Sequence, residues 1–182
     1  MKPLLLTAAL FASAVSALAL SVNLPSGLSV EFTLPDKWTA AVLPAGVGAE
    51  MGKTVRYVPP GGANASVFLS FLPASDELMT DAAALKDIHE TGCQRYVDGS
   101  VEGRITAREI RVETGRGYHS SFTDKAMVNQ PSQKDEYKTV TFATIYLGNG
   151  VLATVSILTD DLNGAEHAAG MRLMESLKVR KK

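Results

Sequence analysis

Two residues that could act together lie four positions apart in a segment with helical periodicity. His89 and Cys93 would fall on one face of a helix, where an imidazole and a thiol come within reach of each other. Such a pair can form a Cys–His nucleophile or half of a metal site. A zinc site needs three or four protein ligands, and the sequence shows no matching Cys/His cluster elsewhere. The pattern therefore favours a core position for both residues, with the cysteine packed as a small hydrophobic side chain.

A second candidate is the segment His119-Ser120-Ser121 with Asp124, which contains the three residue types of a hydrolase triad. In a strand, His119 and Ser120 point to opposite faces, and no Gly-x-Ser-x-Gly motif is present to expose a nucleophile. His119 and Ser121 could still share a face. A hydrolytic site at His119 is therefore kept as an alternative hypothesis.

Trp38 is the one tryptophan of the chain and follows a turn at Pro35. A large ring beside a turn most often closes the end of a core, and the alternative is an exposed platform for a ligand. The candidate site residues are thus Trp38, His89, Cys93 and His119. The sequence predicts no catalytic or metal-binding role for them, and it predicts no cofactor.

The first 19 residues predict a cleavable secretory signal peptide. Lys2 supplies positive charge, an apolar segment follows over residues 4–12, and Ala17 and Ala19 match the A-x-A pattern read by signal peptidase, with Val15 and Ala17 as a second pair. The apolar segment is too short for a membrane span, which takes roughly 20 apolar residues. The only cysteine is far from the cleavage site, so no lipoprotein anchor is expected. We predict a periplasmic or secreted protein with no integral membrane segment after cleavage.

Removal of residues 1–19 from the 182-residue chain leaves 163 residues, 20–182, a common size for one domain. The whole chain carries a formal net charge of −1, with no long run of one sign. This balance argues against binding to nucleic acid or to an anionic membrane. A single cysteine allows no intramolecular disulfide. The basic residues near the end, Lys178, Arg180, Lys181 and Lys182, are typical of a tail that complements the dipole of the helix before it.

The apolar pattern predicts four strands, a helix, four strands and a second helix. Period-two alternation indicates a strand at residues 28–34, which the turn at Pro35 would join to residues 37–43 as a hairpin. Further strand pairs are predicted at 55–58 with 67–72, 105–112 with 118–123, and 139–147 with 151–158.

Two amphipathic helices are predicted between and after these strands. The first begins with a cap at Ser75 and has an apolar stripe from Leu78 to Tyr96, and the second begins with a cap at Asp161. Consecutive hairpins favour an antiparallel sheet, and each helix needs a sheet face to bury its stripe. The predicted fold class is α+β, a mainly antiparallel sheet flanked by two amphipathic helices.

Several segments together carry a family resemblance. An opening strand runs into Leu34-Pro35-Asp36-Lys37-Trp38, an early helix and a long late hairpin follow, and the closing helix ends Met174-Glu175-Ser176-Leu177-Lys178. This layout resembles the PsbP-like superfamily, which includes the photosystem II extrinsic protein P, the Ran-binding Mog proteins and envelope proteins related to DcrB. The resemblance spans nearly all of residues 20–182 and implies an α-β-α sandwich. It transfers no catalytic residue, because the superfamily has no shared catalytic constellation.

Three functional hypotheses from different classes follow. The leading one is an exported, noncatalytic binding or accessory protein of the bacterial cell envelope, with an unknown protein or small-molecule partner bound at a sheet face, an edge strand or the loop 124–136. The second is a small exported enzyme that uses His89 and Cys93, or His119. The third is an inhibitor, an immunity protein or a secretion chaperone. The first leads because packing and turns account for most of the unusual residues.

Overall fold

The computed structural model describes residues 18–24, 26–41, 43, 53–77 and 81–181, and this part of the chain forms ten strands in two antiparallel sheets. Residues 1–17 of the predicted signal peptide lie outside the described residues. The strands are β1 (Leu18–Asn23), β2 (Leu28–Leu34), β3 (Thr39–Ala41), β4 (Lys53–Val58), β5 (Ser66–Pro73), β6 (Arg108–Val112), β7 (Gly115–Thr123), β8 (Thr139–Gly148), β9 (Val151–Thr159) and β10 (Lys178–Lys181).

The larger sheet has seven strands in the order β3-β4-β5-β9-β8-β7-β6. Its centre is the β8–β9 hairpin, in which β-branched and aromatic residues favour extended backbone. The connection Gly148-Asn149-Gly150 has positive φ at all three residues. Glycine and asparagine adopt this conformation at low cost, so the sequence permits a tight turn. The predicted pairs β4–β5, β6–β7 and β8–β9 are all confirmed.

The smaller sheet contains β1, β2 and β10, with β2 at its centre. The predicted hairpin between residues 28–34 and 37–43 is wrong, because β3 pairs with β4 in the larger sheet. The intervening turn explains the difference. Lys37 adopts a left-handed conformation with φ of 61°, and Trp38 is buried directly after it. The chain therefore leaves the small sheet at this turn instead of folding back onto β2.

The predicted basic tail is also wrong, because residues 178–181 form β10. Val179 is buried and pairs with Val30 of β2. The flanking Lys178 and Arg180 lie 3.0–3.7 Å from the carboxylates of Glu31 and Glu113. Glu31 belongs to β2 and Glu113 to the β6–β7 turn, so this four-residue charge cluster connects the small sheet with the β6–β7 hairpin.

The two described helices are α1 (Ala82–Val97) and α2 (Ala165–Glu175). The predicted cap of the second helix at Asp161 is wrong, because the cap position is Gly164. The Asp161 carboxylate instead accepts a hydrogen bond of 2.8 Å from the backbone N–H of Asn163. This local turn satisfies the carboxylate before the helix begins. The element order is thus five strands, α1, four strands, α2 and β10.

The larger sheet lies between two layers. On one face, α2 and the small sheet enclose the main core, which includes Val30, Phe32, Leu69, Ile145, Val155 and Leu173. On the other face, α1 packs against β7 and β8. This arrangement confirms the predicted α+β class and the α-β-α order of layers. Among the described residues, no helix has both the length and the apolar character that crossing a membrane requires.

Two glycines allow unusually close packing around the larger sheet. A Cβ atom on Gly117 of β7 would lie 2.1 Å from the carbonyl oxygen of Thr144 and 2.6 Å from the Cα of Ile145. A Cβ atom on Gly170 of α2 would lie 2.7 Å from Cγ2 of Ile157. Both contacts are shorter than a Cβ atom tolerates, so β7 approaches β8, and α2 approaches the sheet, at distances that require glycine.

Candidate functional site

Helix α1 carries the His–Cys pair that the sequence singles out. The helix begins after Asp81, whose carboxylate accepts a 2.8 Å hydrogen bond from the backbone N–H of Ala83. Asp81 therefore caps α1. Residues 76–77, directly after the predicted cap Ser75, are also helical, and Leu78 of the predicted stripe lies outside the described residues. Leu85, His89 and Cys93, four positions apart, form the buried face of α1.

His89 and Cys93 meet a third polar residue, Ser120 of β7, beneath α1. The Nε2 atom of His89 lies 2.9 Å from Oγ of Ser120 and 3.4 Å from Sγ of Cys93. The imidazole stacks on Phe142 with a centroid separation of 6.0 Å and an interplanar angle of 14°. At most 1% of each of the three polar residues is exposed. The structure thus brings the predicted pair together and adds Ser120, which the sequence assigns to a different hypothetical triad.

The environment of this His–Cys–Ser cluster suppresses its reactivity. Burial, with a smaller effect of the nearby His119, lowers the pKa of His89 to about 4. Burial also raises the pKa of Cys93 to about 11. At neutral pH the cluster therefore holds a neutral imidazole and a neutral thiol, whereas a nucleophilic cysteine needs the thiolate. These groups hydrogen bond to one another inside the core and present no nucleophile to solvent.

His119 lies on the opposite face of the sheet from the His–Cys–Ser cluster. Its Nδ1 atom is buried and has no hydrogen-bond partner among the described residues. Burial lowers the pKa of His119, and the neighbouring Arg108 and His167 lower it further. His119 is not hydrogen bonded to Ser121, although both lie on this face. The Oγ of Ser121 instead lies 2.7 Å from Oγ1 of Thr141.

The histidine that does join this hydroxyl pair is His167 of α2. Its Nε2 atom lies 2.8 Å from Oγ1 of Thr141, so a chain of three side chains runs from β7 through β8 to α2. Sequence analysis does not single out His167, because the contact depends on how α2 packs on the sheet. Asp124, the remaining member of the hypothetical triad, accepts a 2.8 Å hydrogen bond from the backbone N–H of Ala126. The structure therefore does not assemble His119, Ser120 and Asp124.

The unpartnered Nδ1 atom of His119 yields a prediction on stability. We expect His119→Leu to leave the free energy of unfolding unchanged or to raise it by roughly 1 kcal/mol, because a buried polar atom without a partner is removed. Ser121→Ala, on the same strand and face, should lower it by about 1 kcal/mol because it breaks the Thr141 bond. Urea denaturation of both variants measures these changes. If His119→Leu loses more stability than Ser121→Ala, the Nδ1 atom of His119 is not unpartnered as described.

Trp38 closes one end of the main core and also borders a groove. Only 7% of the residue is exposed, and its backbone N–H donates to the carbonyl of Pro35 across the turn. A groove of about 550 Å³ runs past Trp38 between the end of β2 and helix α2, where it is also lined by Ala169 and Arg172. The ring is thus a buried wall and not an exposed platform.

A different cavity lies between the C-terminal end of α1 and the two ends of the loop 124–136. We call it the loop pocket; its volume is about 320 Å³, and its lining includes Arg95, Tyr96, Phe122, Asp124, Tyr137 and Lys138. Arg95 and Tyr96 belong to the last turn of α1, Phe122 to β7, and the remaining three flank the loop. The pocket combines aromatic walls with charged side chains at its rim.

The cations of the loop pocket are not neutralised by a neighbouring carboxylate. The guanidinium of Arg95 lies over the rings of Tyr96 and Phe142, with Cζ 4.8 and 5.4 Å from their centroids. Neither Arg95 nor Lys138 forms an ion pair or a side-chain hydrogen bond with another described residue. The carboxylate of Asp124 is already engaged by the loop backbone. That bond leaves the charge of Asp124 in place, so the charged side chains of the lining, Arg95, Lys138 and Asp124, carry one net positive charge.

Tyr137, on the far side of the pocket, is held in place by a network across β4 and β5. Its hydroxyl donates to Oγ of Ser66 at 3.0 Å and accepts from Nη2 of Arg56 at 3.2 Å. Arg56 also donates to Asp135 at 2.6 Å, and this bond lowers the pKa of Asp135. The Arg56 side chain is 15% exposed, so its end of the network is partly shielded from water. The Tyr137 wall is fixed before any ligand arrives, which reduces the entropy lost on binding.

Across the described ranges, no group of three His, Cys, Asp or Glu side chains is arranged to hold a metal ion. The His–Cys–Ser cluster contributes two such residues, and the pocket contributes one carboxylate that is already hydrogen bonded. The loop pocket is consequently the candidate functional site, and the residues that distinguish it are Arg95 and Lys138. Sequence analysis identified the adjoining loop but neither cation.

A seven-stranded antiparallel sheet between helical layers, with a small sheet closed by the last strand, defines a PsbP-like fold. Comparison with solved structures confirms the resemblance predicted from the sequence. The chain is similar to PsbP (CyanoP) of the cyanobacterium Synechocystis sp. PCC 6803, with 15% identity, a TM-score of 0.59 and coverage of 96% of this chain and 99% of that one. It is also similar to the Ran-binding protein Mog1p of Saccharomyces cerevisiae, with 16% identity, a TM-score of 0.54 and coverage of 91% and 96%.

A protein of Bacteroides thetaiotaomicron matches with a TM-score of 0.49 and 14% identity; the match covers 84% of this chain and only 46% of that protein. No protein-family model matches the sequence, and a search of curated proteins gives no match either. At these identities the likeness to CyanoP and Mog1p establishes the fold, and function has to be argued from the site.

Proposed function

We propose that this chain is an exported, noncatalytic binding or accessory protein of the bacterial cell envelope, and that it binds its partner at the loop pocket. One contrast carries the proposal. The His–Cys–Ser cluster is sealed beneath α1 with both of its titratable groups neutral. The loop pocket, by contrast, carries the unneutralised cations Arg95 and Lys138 beside aromatic walls. Such a combination of aromatic walls and charged side chains suits recognition of a ligand.

The fold supports a binding role. The yeast protein with this fold is a Ran-binding protein, and a shared fold is compatible with a binding role here without specifying the partner. The enzyme hypothesis would require Cys93 to ionise within the core, although burial raises its pKa to about 11. A binding protein needs no such ionisation.

Export is the second element of the proposal, and it rests on the signal-like residues 1–19. Cleavage after Ala19 would remove Leu18 and Ala19 from β1, where they pair with Leu34 and Thr33 of β2. The pairs from Leu20 to Asn23 would remain, so the small sheet survives this cleavage. Cleavage after Ala17 would keep β1 whole.

Native mass spectrometry of the protein, purified gently from its own envelope fraction, tests both elements. We expect a mass that corresponds to cleavage after Ala17 or Ala19, together with a species bound in stoichiometric amount. The double variant Arg95→Gln/Lys138→Gln should lose the bound species, because both residues line the pocket. Cys93→Ala should retain the bound species, because Cys93 is buried beneath α1 and does not line the pocket.

Several outcomes would count against the proposal. Recovery of only the uncleaved chain, from the cytoplasmic fraction, would contradict the proposed export. Purification of the protein without any bound species would contradict binding at the loop pocket. A bound species that is lost from Cys93→Ala and retained by the double variant would contradict it as well. Thermal unfolding of each variant serves as the control for folding.

A further inference from the structure

The loop pocket has a composition that specifies a chemical class of ligand. Its volume of about 320 Å³ lies at the lower end of the range for small-molecule sites. Such a space holds a single ring with a short substituent and is too small for a nucleotide or a large cofactor. The first constraint is therefore size.

The walls provide the second constraint. The rings of Tyr96 and Phe122 stack with a centroid separation of 5.3 Å, and Val140 and Leu158 add aliphatic surface from β8 and β9. The hydrogen-bond network around Arg56 fixes the Tyr137 ring on the other side. Flat apolar molecules gain dispersion and hydrophobic energy between such surfaces.

The rim provides the third constraint, which is charge. Arg95 and Lys138 carry positive charge without a partner carboxylate among the described residues, and Asp124 is turned toward the backbone N–H of Ala126. The C-terminal end of α1 carries a partial negative charge, which the Arg95 side chain in its last turn offsets. Two cations that form no ion pair leave the lining with a net positive charge despite Asp124, which favours an anion, and a guanidinium can bind a planar carboxylate through two hydrogen bonds.

We propose that the loop pocket binds a small aromatic carboxylate, with the ring between the aromatic walls and the carboxylate at Arg95 and Lys138. This assignment rests on the proposed binding function and names the ligand class for the same site. The ring provides contact area, and the two cations select the acid over its uncharged analogues.

The probe that tests this assignment is 3-phenylpropanoate, titrated into the 15N-labelled protein and followed by amide chemical shifts. We expect saturable changes at the backbone N–H groups of Gly99, Ser100 and Val140, which line the pocket. The uncharged 3-phenylpropanamide has the same ring and length and should bind more than tenfold more weakly, because its contacts with both Arg95 and Lys138 lose their charge assistance. Acetate, which has no ring, should give no saturable change at these groups.

Charge variants locate the carboxylate. Arg95→Gln and Lys138→Gln should each weaken the binding of 3-phenylpropanoate about tenfold. Lys86→Gln removes one positive charge from the same helix at a site outside the pocket, and it should change the affinity less than twofold. Arg95 and Lys86 are exposed and Lys138 is half-buried, so dispersed amide spectra are expected for all three variants.

Three results would overturn the aromatic-acid assignment. The first is equal affinity for the acid and the amide, and the second is a loss of affinity in Lys86→Gln equal to that in Arg95→Gln or Lys138→Gln. The third is the absence of any saturable shift change at the pocket up to the solubility limit of the probe. The assignment and the proposed function fail separately. If the probe does not bind while native mass spectrometry still finds a species that depends on Arg95 and Lys138, the binding function stands and the aromatic-acid assignment falls.

Discussion

Gly117→Ala will prevent the protein from folding or will lower the free energy of unfolding by more than about 3 kcal/mol. The added Cβ would meet the carbonyl oxygen of Thr144 at 2.1 Å and the Cα of Ile145 at 2.6 Å. Both atoms belong to the backbone of β8 at the centre of the larger sheet, so neither can rotate away as a side chain would. Relief of the contact requires β7 to separate from β8, with loss of the ladder hydrogen bonds.

Gly99→Ala is the matched control for this substitution. The new Cβ has no heavy atom within 4 Å, and the φ angle of Gly99 does not lie in the left-handed region. We expect its free energy of unfolding to stay within about 0.5 kcal/mol of the wild-type value. Urea denaturation followed by circular dichroism measures both variants. Equal stability of Gly117→Ala and Gly99→Ala would show that β7 is not packed as described.

The second large effect is a loss of stability in acid that originates at His89. The unfolded chain takes up a proton on this residue below pH about 6.5, whereas the buried imidazole takes it up only near pH 4. Between these values the unfolded state binds more protons, so the free energy of unfolding falls as the pH is lowered. The full difference corresponds to about 3 kcal/mol, at 1.36 kcal/mol for each unit of pKa.

Burial also lowers the pKa values of His119 and His167, so these residues contribute with the same sign. We expect His89→Leu to flatten the pH dependence between pH 6.5 and 4 more than His119→Leu does. Urea denaturation at a series of pH values gives this comparison. An NMR titration of the imidazole signals tests the origin directly, and an imidazole of His89 that titrates near pH 6.5 in the folded protein would be incompatible with the prediction.

Local patterns predicted most of the larger sheet and failed where pairing is nonlocal. The β8–β9 hairpin is recognisable because its strands are continuous runs of β-branched and aromatic residues around Gly148-Asn149-Gly150. Strand β10 has only one buried side chain, Val179, between basic residues, so its pattern resembles a tail. It becomes a strand because β2 offers an edge and because Glu31 and Glu113 are placed to pair with Lys178 and Arg180.

The same distinction applies to the candidate site. The helical spacing of His89 and Cys93 is a local pattern, and it correctly predicted their common face. Their contact with Ser120 depends on the packing of α1 over β7, which no spacing reveals. The loop pocket is harder still to predict from the sequence, because Arg95 and Lys138 come to line one cavity only after α1 has packed on the sheet. A single cation in a sequence gives no signal that a second one lines the same cavity.

The small sheet imposes an order on the formation of this molecule. Its central strand, β2, comes early in the chain, whereas β10 is formed by residues 178–181. The backbone N–H of Thr33 in β2 also donates a 2.8 Å hydrogen bond to the hydroxyl of Ser176, beyond the end of α2. Contacts between such distant segments are slow to form, because a long loop has to close before they contribute any stability. One face of the main core therefore stays incomplete until residues 178–181 have been synthesised and can pair with β2.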